Sequence, residues 1–159
     1  MASSAPTYNV QTNSPATNQF SESCLKGNEE EVRSLLSSGS DPNETNDVSK
    51  FTPLHFVAME GHKEILDLLI EAGANLDSRI DSGWTPLFHA VANGHYDIVK
   101  CLVEKGANVN TKCKLGQSVL DISEYFTPVA AADEKSRTKH TNITNYLMNT
   151  GKIIHTDES

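Results

Sequence analysis

The chain has 159 residues, of which 37% are hydrophobic, and a mean hydropathy of −0.42. No run of 18 or more apolar residues occurs, so no transmembrane helix is predicted, and the first ten residues lack the basic and apolar regions of a secretory signal. The net charge of −8 belongs to residues 22–81, where 13 acidic side chains outnumber 5 basic ones, and such a surface repels nucleic acid.

The three cysteines, Cys24, Cys101 and Cys113, are odd in number and fit no zinc-binding spacing. We therefore expect free thiols in a reducing compartment, which predicts a cytoplasmic and/or nuclear location. Cys101 is expected in a helix core, and Cys113 in a more exposed connecting segment. No catalytic triad, phosphate-binding loop or convergent histidine set is indicated, so the sequence predicts neither an enzyme nor a metal or other cofactor.

The N-terminal residues 1–17 contain no charged side chain and are rich in Ser, Thr, Asn, Pro and Ala, which predicts a disordered arm. A first structural unit is expected over 18–46. Its glycines, Gly27 and Gly39, are separated by the same distance along the chain as two later glycine pairs, Gly61 with Gly73 and Gly94 with Gly106. Asn28 is expected to begin a second helix in this unit.

Two clear copies of one pattern follow, over 47–80 and 81–113. Each begins with Thr-Pro-Leu, continues to Gly-His, and ends with Gly-Ala-Asn, and every matched pair is offset by the same step of about 33 residues. Thr favours a helix N-cap, Pro suits the first helical position, and Gly favours the end of a helix. Each copy is therefore expected to form two short antiparallel helices.

A fourth unit is expected over 114–151. Gly116 follows Gly83 by one regular period, but Gly151 follows Gly106 by more than one, so about 12 residues are inserted. Insertions in repeat proteins usually map to loops, and we expect a surface loop around 128–139. Residues 152–159 are expected to form a C-terminal tail that is frayed at its end.

A period of about 33 residues with a Thr-Pro-Leu-His motif at 52–55 resembles the ankyrin-repeat family. The resemblance covers about 18–151 and implies an all-α solenoid of four ankyrin repeats, in which helix-turn-helix units are joined by β-hairpin fingers. Two departures stand out. Lys50 occupies a finger position where the family usually has Gly, and Phe88 replaces the His of the motif.

The resemblance implies protein binding through a concave groove, formed by the finger tips and the exposed side of each first helix. Carried onto this chain, the candidate contact residues are Val48, Ser49, Phe51, Met59, Glu60, Asp81, Ser82, Trp84, His89, Ala92, Asn93, Lys114, Leu115 and Gln117. Phe51 and Trp84 occupy the same repeat position, and aromatic side chains are favoured at interface hot spots. The alternative is that each ring packs on the neighbouring finger.

These features predict a monomeric adaptor or inhibitor that binds one partner protein and neither nucleic acid nor membrane. Two alternatives remain open. The acidic half could make the chain a chaperone or carrier for a basic client protein. The chain could also be a host-directed effector, which no residue of the sequence decides.

Overall fold

The computed structural model describes residues 18–45, 49–129 and 133–152. The predicted arm over 1–17 and the tail from 153 onward lie outside the described residues. Eight helices occur in the described part of the chain: α1 (Gln19–Lys26), α2 (Glu29–Ser37), α3 (Pro53–Glu60), α4 (Lys63–Glu71), α5 (Pro86–Ala92), α6 (Tyr96–Glu104), α7 (Val119–Val129) and α8 (Glu134–Asn149).

The helices form four consecutive pairs stacked in two layers. The first helices α1, α3, α5 and α7 pack on one another in chain order, and the second helices α2, α4, α6 and α8 do the same. A continuous core runs through the stack, from Phe20 and Cys24 in the first pair to Ile143 and Leu147 in the last. The predicted all-α solenoid is confirmed. Over the described ranges, no helix is long and apolar enough to cross a membrane.

The fingers are tight turns, and no strand is assigned in the parts of the chain described here. In the third repeat the Ile80 N–H donates to the Trp84 carbonyl (3.0 Å), and Lys114 in the next finger donates its N–H to the Ser82 carbonyl (2.9 Å). Lys50 has a φ of 65°, in the left-handed region that Gly83 occupies at the equivalent position. Lys50 thus carries a backbone strain that glycine would avoid.

Three histidines connect successive repeats. The Nε2 atoms of His62, His95 and His140 donate to the carbonyls of Leu25, Met59 and Ala92, at 3.1, 2.9 and 3.1 Å. Each acceptor lies in the last turn of a first helix, where carbonyls lack an intrahelical partner. We call these three residues the brace histidines. Because these three residues have the same role, they show which positions correspond in the second helices of repeats two, three and four.

The spacing of the brace histidines also shows where the extra residues of the fourth repeat lie. His95 follows His62 by one regular period, whereas His140 follows His95 by about 12 residues more than that. The surface loop predicted around 128–139 is wrong for residues 128–129 and 134–139, which belong to α7 and α8, whereas 130–132 lie outside the described residues. Thr127 stands where the earlier repeats have a glycine, so α7 continues to Val129. Asp133 then caps α8, accepting the Lys135 N–H at 3.1 Å.

Candidate protein-binding groove

The starts of α3, α5 and α7 fix where the groove residues lie. At Thr52, the backbone N–H donates to Nδ1 of His55 (3.1 Å). In the fourth repeat, Ser118 and Asp121 bond each other's backbone N–H reciprocally. At Thr85 no side-chain cap forms, and the reciprocal bond is also missing because Phe88 has no polar side-chain atom. Each finger therefore enters its helix at the same repeat position, but the capping differs.

His55 also joins two repeats. Its Nδ1 accepts from the Thr52 N–H, so the proton resides on Nε2, which donates to the Trp84 carbonyl at 3.2 Å. Burial lowers the pKa of His55 from 6.5 to about 4. The imidazole is therefore neutral at physiological pH and holds the third finger against α3.

Phe51 and Trp84 are both half-buried. Phe51 stacks on Phe56, with ring centroids 5.2 Å apart, and Trp84 stacks on Phe88 at 5.7 Å. Both rings also contact the imidazole of His89. These two aromatic residues therefore combine core packing with a partly exposed surface, and their contribution to partner binding stays a prediction.

His89 does not lie where a contact residue would be expected. It is only 7% exposed, because the rings of Phe51, His55 and Trp84 surround it at 5.5, 5.7 and 5.1 Å. Its Nε2 has no hydrogen-bond partner among the described residues. Burial, together with the nearby His55, lowers the pKa of His89 to about 3. Because aromatic rings cover His89, its side chain is not accessible to a partner, in contrast to the interpretation of this residue as a groove contact.

The unpartnered nitrogen predicts that His89→Leu stabilises the protein. The equivalent positions of the neighbouring repeats hold the apolar residues Phe56 and Ile122, so an apolar side chain is compatible with the stack. Removing an unsatisfied buried polar atom is expected to raise the free energy of unfolding by about 1 kcal/mol. Urea unfolding at pH 7.5 measures the change. A decrease would mean that the imidazole makes a stabilising contact.

Most other candidate contact residues are accessible. Glu60, Asp81, Ser82, Asn93 and Leu115 are exposed, whereas Ser49, Met59 and Gln117 are half-buried. Val48 lies outside the described residues. The side-chain amide nitrogen of Asn93 donates to the His89 carbonyl at 2.8 Å, so fewer of its hydrogen-bonding groups remain for a partner protein.

One exposed aromatic residue at a groove position was not predicted from the sequence. Tyr125 is 60% exposed on α7, and Leu115 at the fourth finger tip is 84% exposed. Tyr125 occupies the same repeat position as Ala92 and Met59, two residues that were assigned to the groove from the sequence. Extending the period by one more repeat would have found it. The exposed apolar surface of the groove therefore lies at its C-terminal end.

The cysteines carry no sign of reactivity. Cys24, Cys101 and Cys113 are free and buried, so the expectation of an exposed Cys113 is wrong. Its segment is covered because the finger hairpin, in which Cys113 donates its N–H to the Gln117 carbonyl, folds onto the core. Burial raises the pKa of Cys24 to about 12. No group of three potential metal ligands occurs within the described ranges.

A family profile described as ankyrin repeats (three copies) matches residues 20–113, which is more than half of the chain. This chain belongs to the ankyrin-repeat family. The structure adds a fourth helix pair beyond the matched region, built by α7 and α8. Ankyrin repeats are generally protein-protein interaction modules and are typically non-enzymatic.

A similar segment occurs in the phosphate system positive regulatory protein PHO81 of Saccharomyces cerevisiae. The identity is 32% over 59 residues, which cover 37% of this chain and 5% of the yeast protein. The ankyrin-repeat protein thus matches a small part of a much longer relative.

Proposed function

We propose that this ankyrin-repeat protein is a small adaptor or inhibitor that binds one partner protein through the C-terminal part of its groove. The observation that carries the proposal is the exposure of Leu115 and Tyr125, two large apolar side chains that repeat register assigns to the groove. Apolar anchors at interfaces are buried by the partner. The half-buried Phe51 and Trp84 extend this surface toward the second repeat.

The regulatory part of the proposal has further support in the similar yeast protein, whose name describes a positive regulatory protein. A rigid stack also favours tight binding, because a preordered surface loses little conformational entropy on association.

The test compares captured proteins for wild type and a Leu115→Ser/Tyr125→Ser double variant. Both side chains are exposed, so the fold is expected to persist. The matched control is Met148→Ser, which removes a 49% exposed apolar residue from α8, in the layer of second helices. We expect the double variant to bind the recovered partner at least about 10-fold more weakly and the control to bind normally. Equal binding by wild type and the double variant would contradict the proposal.

A charge-driven client is the second candidate, because the acidic residues Glu60, Glu64, Glu71, Asp77 and Asp81 are all exposed. Salt distinguishes the two candidates. Binding anchored by Leu115 and Tyr125 should persist when salt is raised to about 0.5 M, whereas binding of a basic client should be lost. Loss of affinity at high salt, with no effect of the double variant, would favour the client function.

A further inference from the structure

The second helices of the last two repeats form a pocket on the opposite layer of the stack from the groove. Its volume is about 500 Å³, and it is lined by Tyr96 of α6 and by Asn142, Asn145, Tyr146 and Asn149 of α8. The Tyr96 and Tyr146 rings meet edge to face, with centroids 5.6 Å apart, and Tyr96 remains 39% exposed. The volume lies within the range of about 300–1,000 Å³ that is usual for small-molecule sites.

The polar lining of this pocket departs from the pattern of the earlier repeats. Aligned on the brace histidines, three outward positions of the second helices hold charged residues in repeats two and three: Glu64, Asp67 and Glu71 in α4, and Asp97, Lys100 and Glu104 in α6. In α8 the same three positions hold Asn142, Asn145 and Asn149. Residues 140–150 contain no Asp, Glu, Lys or Arg at all. At these positions of α8, neutral side chains therefore stand where the earlier repeats have charged ones.

The three carboxamides are available to a ligand. Asn142, Asn145 and Asn149 are exposed, and their side chains have no hydrogen-bond partner within the described residues. Each amide offers two donors and one acceptor. Burial, with smaller effects of Glu104 and Tyr96, raises the pKa of Tyr146 further above neutral pH, where its protonated hydroxyl is a donor. The lining thus combines several neutral hydrogen-bonding groups with an aromatic wall.

This combination restricts the chemistry of the ligand. A charged ligand would find no opposite charge among the five lining residues, and a purely apolar one would displace water from the amides without replacing its hydrogen bonds. Neighbouring hydroxyls of a sugar both donate and accept, as carboxamides do, and the C–H face of a sugar ring can pack on an exposed tyrosine. We propose that the pocket between α6 and α8 is a binding site for a neutral saccharide unit, either free or carried on a glycoconjugate.

The test is a titration of the full ¹⁵N-labelled chain, followed by the backbone amide signals of α6 and α8, which every variant retains, and in wild type also by the side-chain amide signals of the three asparagines. The probes are maltose, N-acetylglucosamine, a glycoprotein with a neutral N-linked glycan, and the same glycoprotein after enzymatic removal of its glycan. We expect saturable shifts with a Kd of about 1 mM for at least one neutral sugar or for the intact glycoprotein. Binding of free sugar identifies a small-molecule ligand, and binding of the intact glycoprotein alone identifies a glycoconjugate.

The key variant is Asn142→Asp/Asn145→Lys/Asn149→Glu, which gives α8 the three residues that α6 carries at the same positions. The fold is expected to tolerate it, and Tyr96→Lys, which introduces the residue found at the equivalent position of α4, is a second independent variant. Both should abolish the shifts. A control, Glu64→Asn/Asp67→Asn/Glu71→Asn, transfers the asparagines to α4, which lacks the tyrosine pair, and should create no binding there.

Three results would overturn the proposal: no saturable shift with any probe, equal binding of the deglycosylated protein, or unchanged binding by both pocket variants. The groove variant Leu115→Ser/Tyr125→Ser leaves all five pocket residues intact. The proposed saccharide site and the proposed binding function of the groove can therefore be contradicted independently of each other.

Discussion

Lowering the pH from 7 to 4 is expected to reduce the free energy of unfolding by about 6 kcal/mol, with His55 and His89 contributing about 3 kcal/mol each. Burial lowers the pKa of His55 to about 4 and that of His89 to about 3, whereas both titrate near 6.5 in the unfolded chain. Below pH 6.5 the unfolded state therefore binds protons that the folded state does not bind. Stability is lost as the pH falls from 6.5 toward these folded-state pKa values.

The expected loss is comparable with the whole stability of a small domain, so acid unfolding between pH 5 and 4 is expected. The measurement is urea unfolding at a series of pH values from 7.5 to 4, monitored by circular dichroism. His89→Leu removes one of the two groups and should halve the loss. Parallel pH profiles for wild type and this variant would show that His89 is not held neutral.

Replacing Gly61 by alanine is expected to destabilise the protein by about 3 kcal/mol. Gly61 ends α3 with a φ of 81°, which costs alanine about 1 kcal/mol. The added Cβ would also lie 2.7 Å from the ring of His95, so the ring must move away. Its hydrogen bond to the Met59 carbonyl (2.9 Å) would then be lost, which leaves a partly buried group unsatisfied at a further cost of about 1–3 kcal/mol.

Gly73→Ala is the matched control for this prediction. Gly73 has a similar φ of 95°, but no atom lies within 4 Å of the position its Cβ would take. Only the backbone penalty of about 1 kcal/mol is expected. Thermal or chemical unfolding of the two variants isolates the contribution of the His95 contact. Equal destabilisation would mean that the imidazole moves at no cost.

The two proposed surfaces would give the molecule distinct roles on its two layers. The groove uses exposed apolar side chains of the fourth repeat, and the pocket uses neutral side chains of α8 in that repeat together with Tyr96 of α6 in the third. A protein with both sites could connect a partner protein to a saccharide-bearing molecule. Both features include side chains of the fourth repeat, which departs most from the regular pattern.

The sequence by itself determined the repeat architecture. The regular spacing of Thr-Pro-Leu, Gly-His and Gly-Ala-Asn predicted pairs of short helices, because each motif controls a local event: the start of a helix, its end or the following turn. The resemblance of this spacing to the ankyrin-repeat family then implied the all-α solenoid. The helix start at Asn28 followed from the same local chemistry, and its side chain indeed accepts the Glu31 N–H. Such signals depend on neighbouring residues only and can be read along the chain.

Only the tertiary structure decided which side chains are accessible and which repeat positions correspond after the insert. His89 is closed in by rings from two fingers and a neighbouring helix, and His140 is recognised as a brace histidine only through its bond to Ala92, far away along the chain. The described parts of the insert on either side of 130–132 are helical, because Thr127 does not end α7 and Asp133 caps α8. Burial and long-range pairing depend on packing between repeats, and a one-dimensional period carries no information about either.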